Sequence, residues 1–386
     1  MTKTYLFGIW LLLFSSAFVR VEPAPYDVIL VVLFVVGLAT PLLQFRQYHL
    51  APTAALVVFV LSNIGSMLFA TEITKTIEFF TITSYLIVTW AFFVGLFGRF
   101  GKRGIEIAWS GYVGAAAVSA AIASLTAVGF FVDAQWFLWG EGRAVGLFKD
   151  PNVFGAFLVP PAVYAIMKSD HGKRVHRLLW LLMFLVLSFG VLLSMSRGAW
   201  ANYIVALATF FLISLALGRN AGVRPVLKVV LVVVAVVIYA VSQSELGALL
   251  AERVSFQPYD EERFLTQALA LQTGLSNPLG IGPGQSEILF QYATHSLYLR
   301  ILSENGWVGL LAFVCFVLMT AYRAFRGVAT ITFQHRDEFV LMVSVLCGAL
   351  FNSLFIDSLH WRHFWFLLAL PWFALGHIPV SGRGGS

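Results

Sequence analysis

The segment from residue 262 to residue 306 contains ERF (262–264), NPLGIGPG (277–284), THSLYLR (294–300) and ENG (304–306). These stretches carry arginines, acids, a histidine and a glycine-rich turn, whereas the sequence on both sides is almost entirely apolar. Ionisable residues are costly to keep in a chain that dissolves in lipid, and they usually serve a function there. We therefore expect this segment to carry the chemistry of the protein, at one surface of a membrane.

The composition is that of an integral membrane protein. Of the 386 residues, 59% are hydrophobic and 11% are charged, whereas a soluble domain has about 25% charged residues. The formal net charge is +6, but the basic residues are dispersed between apolar runs, which argues against a nucleic-acid-binding surface. Cys315 and Cys347 lie inside apolar runs, so we expect them to be packing residues rather than parts of a disulfide or a metal site.

Apolar runs long enough to cross a bilayer recur along the whole chain. A hydrocarbon core of roughly 30 Å requires about 20 apolar residues per helix. By this criterion the sequence predicts an all-α polytopic membrane protein that forms a single membrane domain over residues 1–386. The twelve predicted spans lie near residues 5–20, 26–43, 50–70, 73–97, 105–128, 151–168, 176–195, 199–217, 226–243, 300–322, 338–357 and 362–378.

The distribution of lysine and arginine predicts the orientation of these spans. With a cytoplasmic N-terminus, most of the 25 basic residues fall in short cytoplasmic connections, and the C-terminus is cytoplasmic as well. The basic residues left on the outer face are Arg20, Lys75, Arg143, Lys149, Arg197, Arg253, Arg263, Arg300 and Arg362. Membrane insertion does not require them there. We expect a functional role for the set, although any single arginine could equally pair with an acid on the same face.

The largest outer connection is a loop of roughly residues 244–295 that contains short helices. Asp260, Glu261 and Glu262 precede an apolar stretch, which predicts the acidic first turn of a helix along the membrane surface. Asn277-Pro278 predicts the end of this helix. The glycines that predict the following turn are Gly280, Gly282 and Gly284. This glycine run lacks the lysine and the preceding strand of a nucleotide-binding loop.

A further helix is predicted directly after this turn. Thr294 can cap a helix that begins at His295 and continues into the tenth span. On that helix Arg300 and Glu304 share a polar face with two serines. A lone histidine at an interface is usually structural. Here it lies beside outer arginines at a helix start, where free N–H groups attract anions, so we expect it to be functional.

Separate outer connections each carry an arginine. Arg143 lies in the connection that ends at Asp150-Pro151, a typical helix start. Arg197 and Arg362 lie in very short turns, and Arg263 belongs to the largest connection. A planar guanidinium binds phosphate oxygens through two parallel hydrogen bonds. Such a set of arginines suits a diphosphate where no metal is present.

The motifs in these connections resemble those of a known family. GR (142–143) through DPN (150–152), SRGAW (196–200), Arg263 with NPLGIG (277–282), and HSLYL (295–299) followed by ENG (304–306) are similar to motifs of the O-antigen ligase and O-antigen polymerase superfamily. The shared core covers roughly residues 187–322, and the stretch from residue 143 to residue 152 extends it. Members commonly have His-Asn where this chain has His295-Ser296.

The resemblance implies a glycosyltransferase of the bacterial inner (cell) membrane that acts at its periplasmic face, with no metal and no other cofactor. Its donor would be a glycan on undecaprenyl diphosphate. Its acceptor would be a sugar hydroxyl, on lipid A–core for a ligase or on the growing carrier-linked glycan for a polymerase. We favour ligase slightly and leave polymerase open. A transporter or flippase of lipid-linked sugars is a further alternative, although transporters place ionisable residues near the membrane midplane.

The same reasoning predicts two catalytic residues and five arginines that bind the substrate. His295 fits the role of a general base at neutral pH, and Glu304 could orient partners or act as the base itself. The residues predicted to bind the diphosphate are Arg143, Arg197, Arg263, Arg300 and Arg362. Nothing in the sequence resembles an aspartate-rich metal motif, so arginines would stabilise the leaving diphosphate. Membrane lipids are expected partners, and nucleic acid is not.

Overall fold

The computed structural model describes residues 1–131, 134–140, 142–170, 173–218, 258–290, 292–330 and 333–373, and the isolated residues 227, 228, 247, 252 and 255. The ninth predicted span, near residues 226–243, lies almost entirely outside the described residues, and so does Arg253.

Within the described residues the chain forms twelve α-helices and one short hairpin. The helices are α1 (Thr2–Phe14), α2 (Pro25–Ala39), α3 (Leu50–Ser66), α4 (Ile73–Ala127), α5 (Pro151–Ser169), α6 (Arg174–Leu193), α7 (Arg197–Ala216), α8 (Pro258–Ser276), α9 (Ser286–Leu289), α10 (Leu297–Thr330), α11 (Phe333–Asn352) and α12 (Arg362–Ala369). The strands β1 (Leu138–Trp139) and β2 (Arg143–Ala144) pair antiparallel, with Trp139 opposite Arg143. The fold is helical apart from this hairpin, which agrees with the predicted class.

In the part of the chain that the structure describes, five helical segments are long and apolar enough to cross a membrane. They are Gln47–Phe69, Ile73–Ala127, Arg174–Leu193, Arg197–Ala216 and Leu297–Thr330. A helical membrane protein is thus supported, while the number of twelve spans stays a prediction.

The longest helix, α4, contains a bend. It has 55 residues, and Gly101 adopts a left-handed conformation with φ 52°. At 1.5 Å per residue a straight helix of this length would extend about 80 Å, far more than one membrane crossing. The fourth and fifth predicted spans, 73–97 and 105–128, fall on the two sides of this bend.

Aromatic packing fixes the helices that surround the site. Trp109 of α4 is fully buried and stacks on Tyr164 of α5, with ring centroids 4.9 Å apart. The Trp109 ring also forms an edge-on contact with Phe366 of α12, with ring centroids 5.8 Å apart. Offset and edge-on aromatic contacts add to the apolar burial. They hold α4, α5 and α12 in a defined arrangement.

At one end of the bundle, several basic connections lie close together. Lys102 pairs with Glu338 at 2.7 Å, and the Nε of Arg323 donates to the carbonyl of Pro371 at 2.6 Å. At the opposite end, which we call the site end, Arg20 donates to the carbonyl of Gly146 at 3.4 Å. The helices α5, α7, α10 and α12 all begin at the site end. The predicted site residues therefore lie at the end of the bundle away from these basic connections.

Candidate active site

The predicted surface helix is present as α8. It begins at Pro258, carries Asp260 and Glu261 in its first turn and ends at Ser276, directly before Asn277-Pro278. The helix packs against α10. It carries Arg263 to the site end, although the chain on its N-terminal side lies mostly outside the described residues.

The glycine-rich turn after α8 is bonded to α10 through the backbone. The N–H groups of Ile281 and Gly282 donate to the carbonyls of Ser303 and Glu304, both at 3.0 Å. These carbonyls can accept from outside the helix because Gly306, with φ 70°, interrupts α10 just beyond them. The two motifs that the sequence singled out, NPLGIGPG and ENG, therefore form one structural unit.

Glycine is required on both sides of this contact. Gly280 has φ 83°, and a Cβ atom there would lie 2.3 Å from the carbonyl oxygen of Glu304. A Cβ at Gly306 would lie 2.2 Å from the carbonyl oxygen of Pro278. No side chain fits at these distances, and a left-handed conformation disfavours one in any case.

His295 lies just before α10 rather than in its first turn. The backbone of His295 is left-handed, with φ 48°, and α10 begins two residues later, at Leu297. The prediction that Thr294 caps a helix from His295 is therefore wrong. Ser296 precedes the helix and accepts from the N–H of Leu299 at 3.5 Å, while the hydroxyl of Thr294 is buried without a hydrogen-bond partner among the described residues. The N–H of Leu297 bonds to a carbonyl at the end of α11 instead, which fixes the helix start from outside.

Three predicted site residues meet at one cavity. Its volume is about 230 Å³, and Arg197, Arg263 and His295 all line it. Gln267 of α8 lies in the same wall and donates to the backbone carbonyl of His295 at 3.1 Å. The imidazole itself has no hydrogen-bond partner among the residues described, so its nitrogens remain available to a ligand in the cavity.

Arg197 reaches the cavity from the start of α7. Ser196 caps this helix by accepting from the N–H of Ala199 at 3.3 Å, as the short predicted turn requires. The Nη2 of Arg197 pairs with the carboxylate of Asp260 and donates to the hydroxyl of Tyr259 at 2.9 Å. The first turn of α8 therefore holds the Arg197 guanidinium at the cavity.

Arg263 lies in the second turn of α8 and also lines the cavity. Its Nη2 donates to the carbonyl of Phe355 at 2.7 Å, in the loop that connects α11 and α12. Because Phe355 also lines the cavity, this bond ties α8 to that loop. The cavity thus brings together residues from α7, α8, the start of α10 and the loop after α11.

Arg143 does not line the cavity but bonds to Asn152, which does. Its Nε donates to the carbonyl of Ser194 at 3.2 Å, and its Nη2 donates to the Oδ1 of Asn152 at 3.1 Å. The hydroxyl of Ser196 donates to the same Asn152 oxygen at 2.8 Å. Asp150 caps α5, as predicted, by accepting from the N–H of Asn152 at 2.6 Å. Arg143 therefore supports the turn that presents Arg197.

Arg300 and Glu304 form a buried ion network instead of lining this cavity wall. Arg300 pairs with Asp357, and its Nε donates to Glu304 at 3.2 Å. The second oxygen of Glu304 accepts from the hydroxyl of Ser286. The Arg300 guanidinium also lies over the ring of Phe79, 4.5 Å from its centroid. Glu304 is only 2% exposed, so both of its oxygens are committed to neighbours inside the protein.

Arg362 lies in a different cavity. Its Nε and Nη2 donate to the two carboxylate oxygens of Asp27 at 2.8 and 2.7 Å. The hydroxyl of Tyr85 donates to Asp27 at 2.7 Å. The structure therefore separates Arg362 from the cavity that contains Arg197, Arg263 and His295.

Comparison with protein-family models matches residues 182–314 to the model described as O-antigen ligase. This match supports the O-antigen ligase and polymerase superfamily for that part of the chain. The match covers about a third of the chain and includes His295, Glu304 and three of the five predicted arginines, whereas Arg143 and Arg362 lie outside it. Comparison with curated proteins gave no match. The matched family is one of membrane glycosyltransferase-like enzymes, and the match suggests a function of the O-antigen ligase or polymerase type.

The electrostatic surroundings of the cavity favour a neutral His295. Burial and the nearby charge of Arg263 lower the pKa of His295 to about 4, and the charges of Asp357 and Asp150 oppose this shift only in part. Burial raises the pKa of Asp357, but the charge and hydrogen bond of Arg300, together with His360 and the N–H of Leu359, hold the pKa below its ordinary value. Asp357 therefore stays charged.

Sequence reasoning did not identify Asp260 or Asp357 as site residues. The sequence indicates Asp260 as part of an acidic first turn and as one of several acids that could pair with an outer arginine, but it does not indicate which one. In the structure Asp260 pairs with Arg197 across a separation of 63 residues. Asp357 pairs with Arg300 across 57 residues. No local pattern in the sequence marks either pair. In the part of the chain that is described, no group of three or more His, Cys, Asp or Glu residues is arranged to hold a metal ion.

Proposed function

We propose that this protein transfers a glycan from an undecaprenyl diphosphate carrier to a sugar hydroxyl, at the periplasmic face of the bacterial inner membrane. The observation that supports the proposal is the cavity at which Arg197, Arg263 and His295 meet. Two cations and a neutral base around one cavity are what a reaction needs when a diphosphate leaves and a hydroxyl attacks.

The donor diphosphate is bound by Arg197 and Arg263. Two guanidinium groups and one carboxylate, Asp260, line this cavity, so its lining carries an excess of positive charge. Guanidinium groups form charge-assisted, forked hydrogen bonds with phosphate oxygens. The diphosphate oxygens would compete with Asp260 for Arg197 and with the backbone carbonyl of Phe355 for Arg263. Arg143 supports this arrangement through Asn152.

His295 acts as the general base. It removes the proton of the acceptor hydroxyl while that oxygen forms a bond to the anomeric carbon of the donor sugar. The bond between that carbon and the diphosphate oxygen breaks, and the diphosphate leaves with the electron pair. The arginines stabilise the charge that develops on it, which is the role of a divalent ion in other enzymes. No metal or redox group takes part.

Donor binding adjusts the basicity of His295. The charge of Arg263 is one cause of the low pKa of His295. A bound diphosphate brings negative charge beside Arg263, which opposes that effect and raises the pKa of the imidazole toward the working pH. The base therefore becomes stronger when the donor is in place.

Glu304 is the weaker candidate for the base. It is buried, and its two oxygens accept from Ser286 and Arg300. A buried group with both oxygens bonded inside the protein is better placed to orient its neighbours than to accept a proton from a substrate. We assign Arg300 and Glu304 to the support of the turn that precedes His295, rather than to contact with the diphosphate.

Ligase and polymerase activities differ in the acceptor. The proposed acceptor is lipid A–core, with the growing carrier-linked glycan as the alternative. The test uses the purified protein in lipid, with the undecaprenyl-diphosphate-linked glycan of its native cell as the donor and each acceptor in turn. Transfer to lipid A–core in excess chelator is the expected result for a metal-independent ligase. Transfer only between carrier-linked glycans would indicate a polymerase.

Two variants separate donor binding from catalysis. Asparagine tolerates the left-handed backbone of His295 better than alanine does, so His295→Asn should fold normally. It should bind the donor with little change but transfer it about 10²–10⁴-fold more slowly. Arg263→Lys loses the forked geometry and about 1.5–3 kcal/mol of donor affinity. Arg326→Lys, at the other end of the bundle, is the matched control and should leave both quantities unchanged.

The proposal would be wrong if His295→Asn transferred at the wild-type rate at equal membrane abundance. A normal donor affinity in Arg263→Lys would show that the diphosphate binds elsewhere. If Glu304→Gln abolished transfer without unfolding while His295→Asn remained active, Glu304 would be the base.

A further inference from the structure

A second cavity lies at the site end, across the loop that connects α11 and α12. It has a volume of about 470 Å³ and is lined by Asp27, Tyr85 and Arg362, among others. A smaller cavity of about 180 Å³ shares Glu22 and Arg362 with it. We call these two adjoining cavities the depression. Both are lined by His360 and Arg362, whereas Phe355 and Ile356, earlier in the same part of the chain, line the cavity that contains His295.

The charged groups of this depression are paired with each other. Both Nε and Nη2 of Arg362 are bonded to Asp27, whereas Arg197 reaches its carboxylate, Asp260, through Nη2 alone. Lys149 pairs with Glu22. A diphosphate would compete with both carboxylate oxygens of Asp27 for Nε and Nη2 of Arg362, so this cavity is a poor diphosphate site.

The charge balance of the depression also differs from that of the first cavity. Its charged lining residues are the acids Glu22, Asp27 and Asp150 and the bases Lys149 and Arg362. Burial, and to a smaller extent Arg300, lower the pKa of the neighbouring His360 to about 3, so this ring adds no positive charge. Acids thus outnumber bases here, and bases outnumber acids around His295. An anionic diphosphate favours the first cavity.

The chemistry of the second cavity suits a polyhydroxyl ligand. Paired carboxylate and guanidinium groups offer acceptors and donors side by side, and each sugar hydroxyl can both donate and accept. Tyr85 and, in the smaller cavity, Trp361 add aromatic surface, on which the apolar faces of sugar rings pack. Pockets with an apolar wall and a few convergent polar groups are typical of small-ligand sites.

The depression is close to the first cavity. Asp150 lines the smaller part of it, and its charge acts on the His295 ring. Asn152, two residues further along the chain, lines the cavity that contains His295. The depression and the cavity that contains His295 therefore border on the same helix start, residues 150–152.

We propose that this second cavity binds the acceptor glycan, with Asp27, Tyr85 and Arg362 bonded to its sugar hydroxyls. The inference rests on the proposed transfer function and names the subsite of the second substrate. It gives Arg362 a role in acceptor recognition in place of the predicted diphosphate contact.

The test narrows the cavity without breaking its ion pair. Thr81 lines the cavity from α4, and Thr81→Trp should fill part of it. Ile77→Trp is the matched control, because Ile77 is exposed one turn earlier on the same helix. The acceptor used is whichever of lipid A–core and carrier-linked glycan supports transfer by the wild-type protein. Tyr85→Phe removes one hydroxyl and serves as a second, milder variant.

Thr81→Trp should raise the acceptor KM at least about tenfold and leave donor affinity within about twofold, as expected for the loss of roughly 1.4 kcal/mol in one site. Tyr85→Phe should raise the same KM by a smaller factor, and Ile77→Trp should change neither quantity. A wild-type acceptor KM in both cavity variants would overturn the assignment, as would a selective loss of donor affinity. Failure of the proposed function is a separate result, namely no transfer by the wild-type protein to either acceptor.

Discussion

At the scale of single residues, the reactivity of His295 depends on the charges around its ring. In the folded protein its pKa is lowered to about 4, against about 6.5 for an ordinary histidine. The ring is therefore neutral at neutral pH and able to accept a proton. Because the unfolded chain binds that proton below about pH 6.5 and the folded chain does not, this residue makes the folded state less stable as pH falls from about 6.5 to 4.

A pH profile of transfer should show this state of His295. The ratio kcat/KM for the donor reports the enzyme before the donor binds, so it should stay level down to about pH 5 if His295 is the base. The acid limb of kcat should lie at a higher pH, because the bound diphosphate raises the pKa of the imidazole. Both profiles are measured with saturating acceptor. A midpoint near 6.5 in kcat/KM would contradict the low pKa, and His295→Asn should lack the acid limb of kcat.

At the scale of elements, the site depends on how the turn after α8 is fixed to the bend in α10. Backbone bonds from Ile281 and Gly282 to the carbonyls of Ser303 and Glu304 join the two segments. The same bend carries the buried pair of Arg300 and Glu304. A change in this contact should therefore act on stability and on the position of His295 together.

Gly306→Ala tests this contact. The left-handed conformation costs a residue with a Cβ atom roughly 1–2 kcal/mol, and the close Pro278 carbonyl adds a steric penalty. We expect a lower melting temperature and slower transfer in Gly306→Ala. Gly65→Ala is the control, because a Cβ there meets nothing within 4 Å and alanine favours the helix. Equal melting temperatures for Gly306→Ala and the wild-type protein would show that the bend tolerates a side chain.

At the scale of the whole molecule, the bundle has two unlike ends. Pairs such as Lys102 with Glu338 lie at one end, whereas the cavities and the starts of α5, α7, α10 and α12 lie at the other. The positive-inside rule assigns the first end to the cytoplasm. By this assignment the site end faces the periplasm, where a carrier-linked glycan would be presented.

Cysteine labelling in intact cells tests this orientation. Lys173→Cys and Ser276→Cys are made in a background that lacks Cys315 and Cys347, and both positions are exposed. A membrane-impermeant maleimide should label Ser276→Cys in intact cells and Lys173→Cys only after lysis. Labelling of both positions from the same side would overturn the orientation and, with it, the periplasmic location of the site.

The sequence by itself determined the features that depend on neighbouring residues. It predicted a helical membrane protein from composition, the start of α5 from Asp150-Pro151, and the end of α8 from Asn277-Pro278. These features follow from the backbone chemistry of a few adjacent residues and from apolar length. The motifs around Arg197 and His295 were recognisable for the same reason, because each lies within a short stretch.

Only the tertiary structure decided which of these residues act together. Arg362 bonds to Asp27 across a separation of 335 residues, and no local pattern distinguishes it from Arg197 or Arg263, which share a cavity with His295. The start of α10 also depends on a residue that is remote in the sequence, because the N–H of Leu297 donates to the carbonyl of Ser353. Guanidinium groups and free backbone N–H groups donate to any suitably placed oxygen. Their partners are therefore set by how the helices pack and not by the order of residues along the chain.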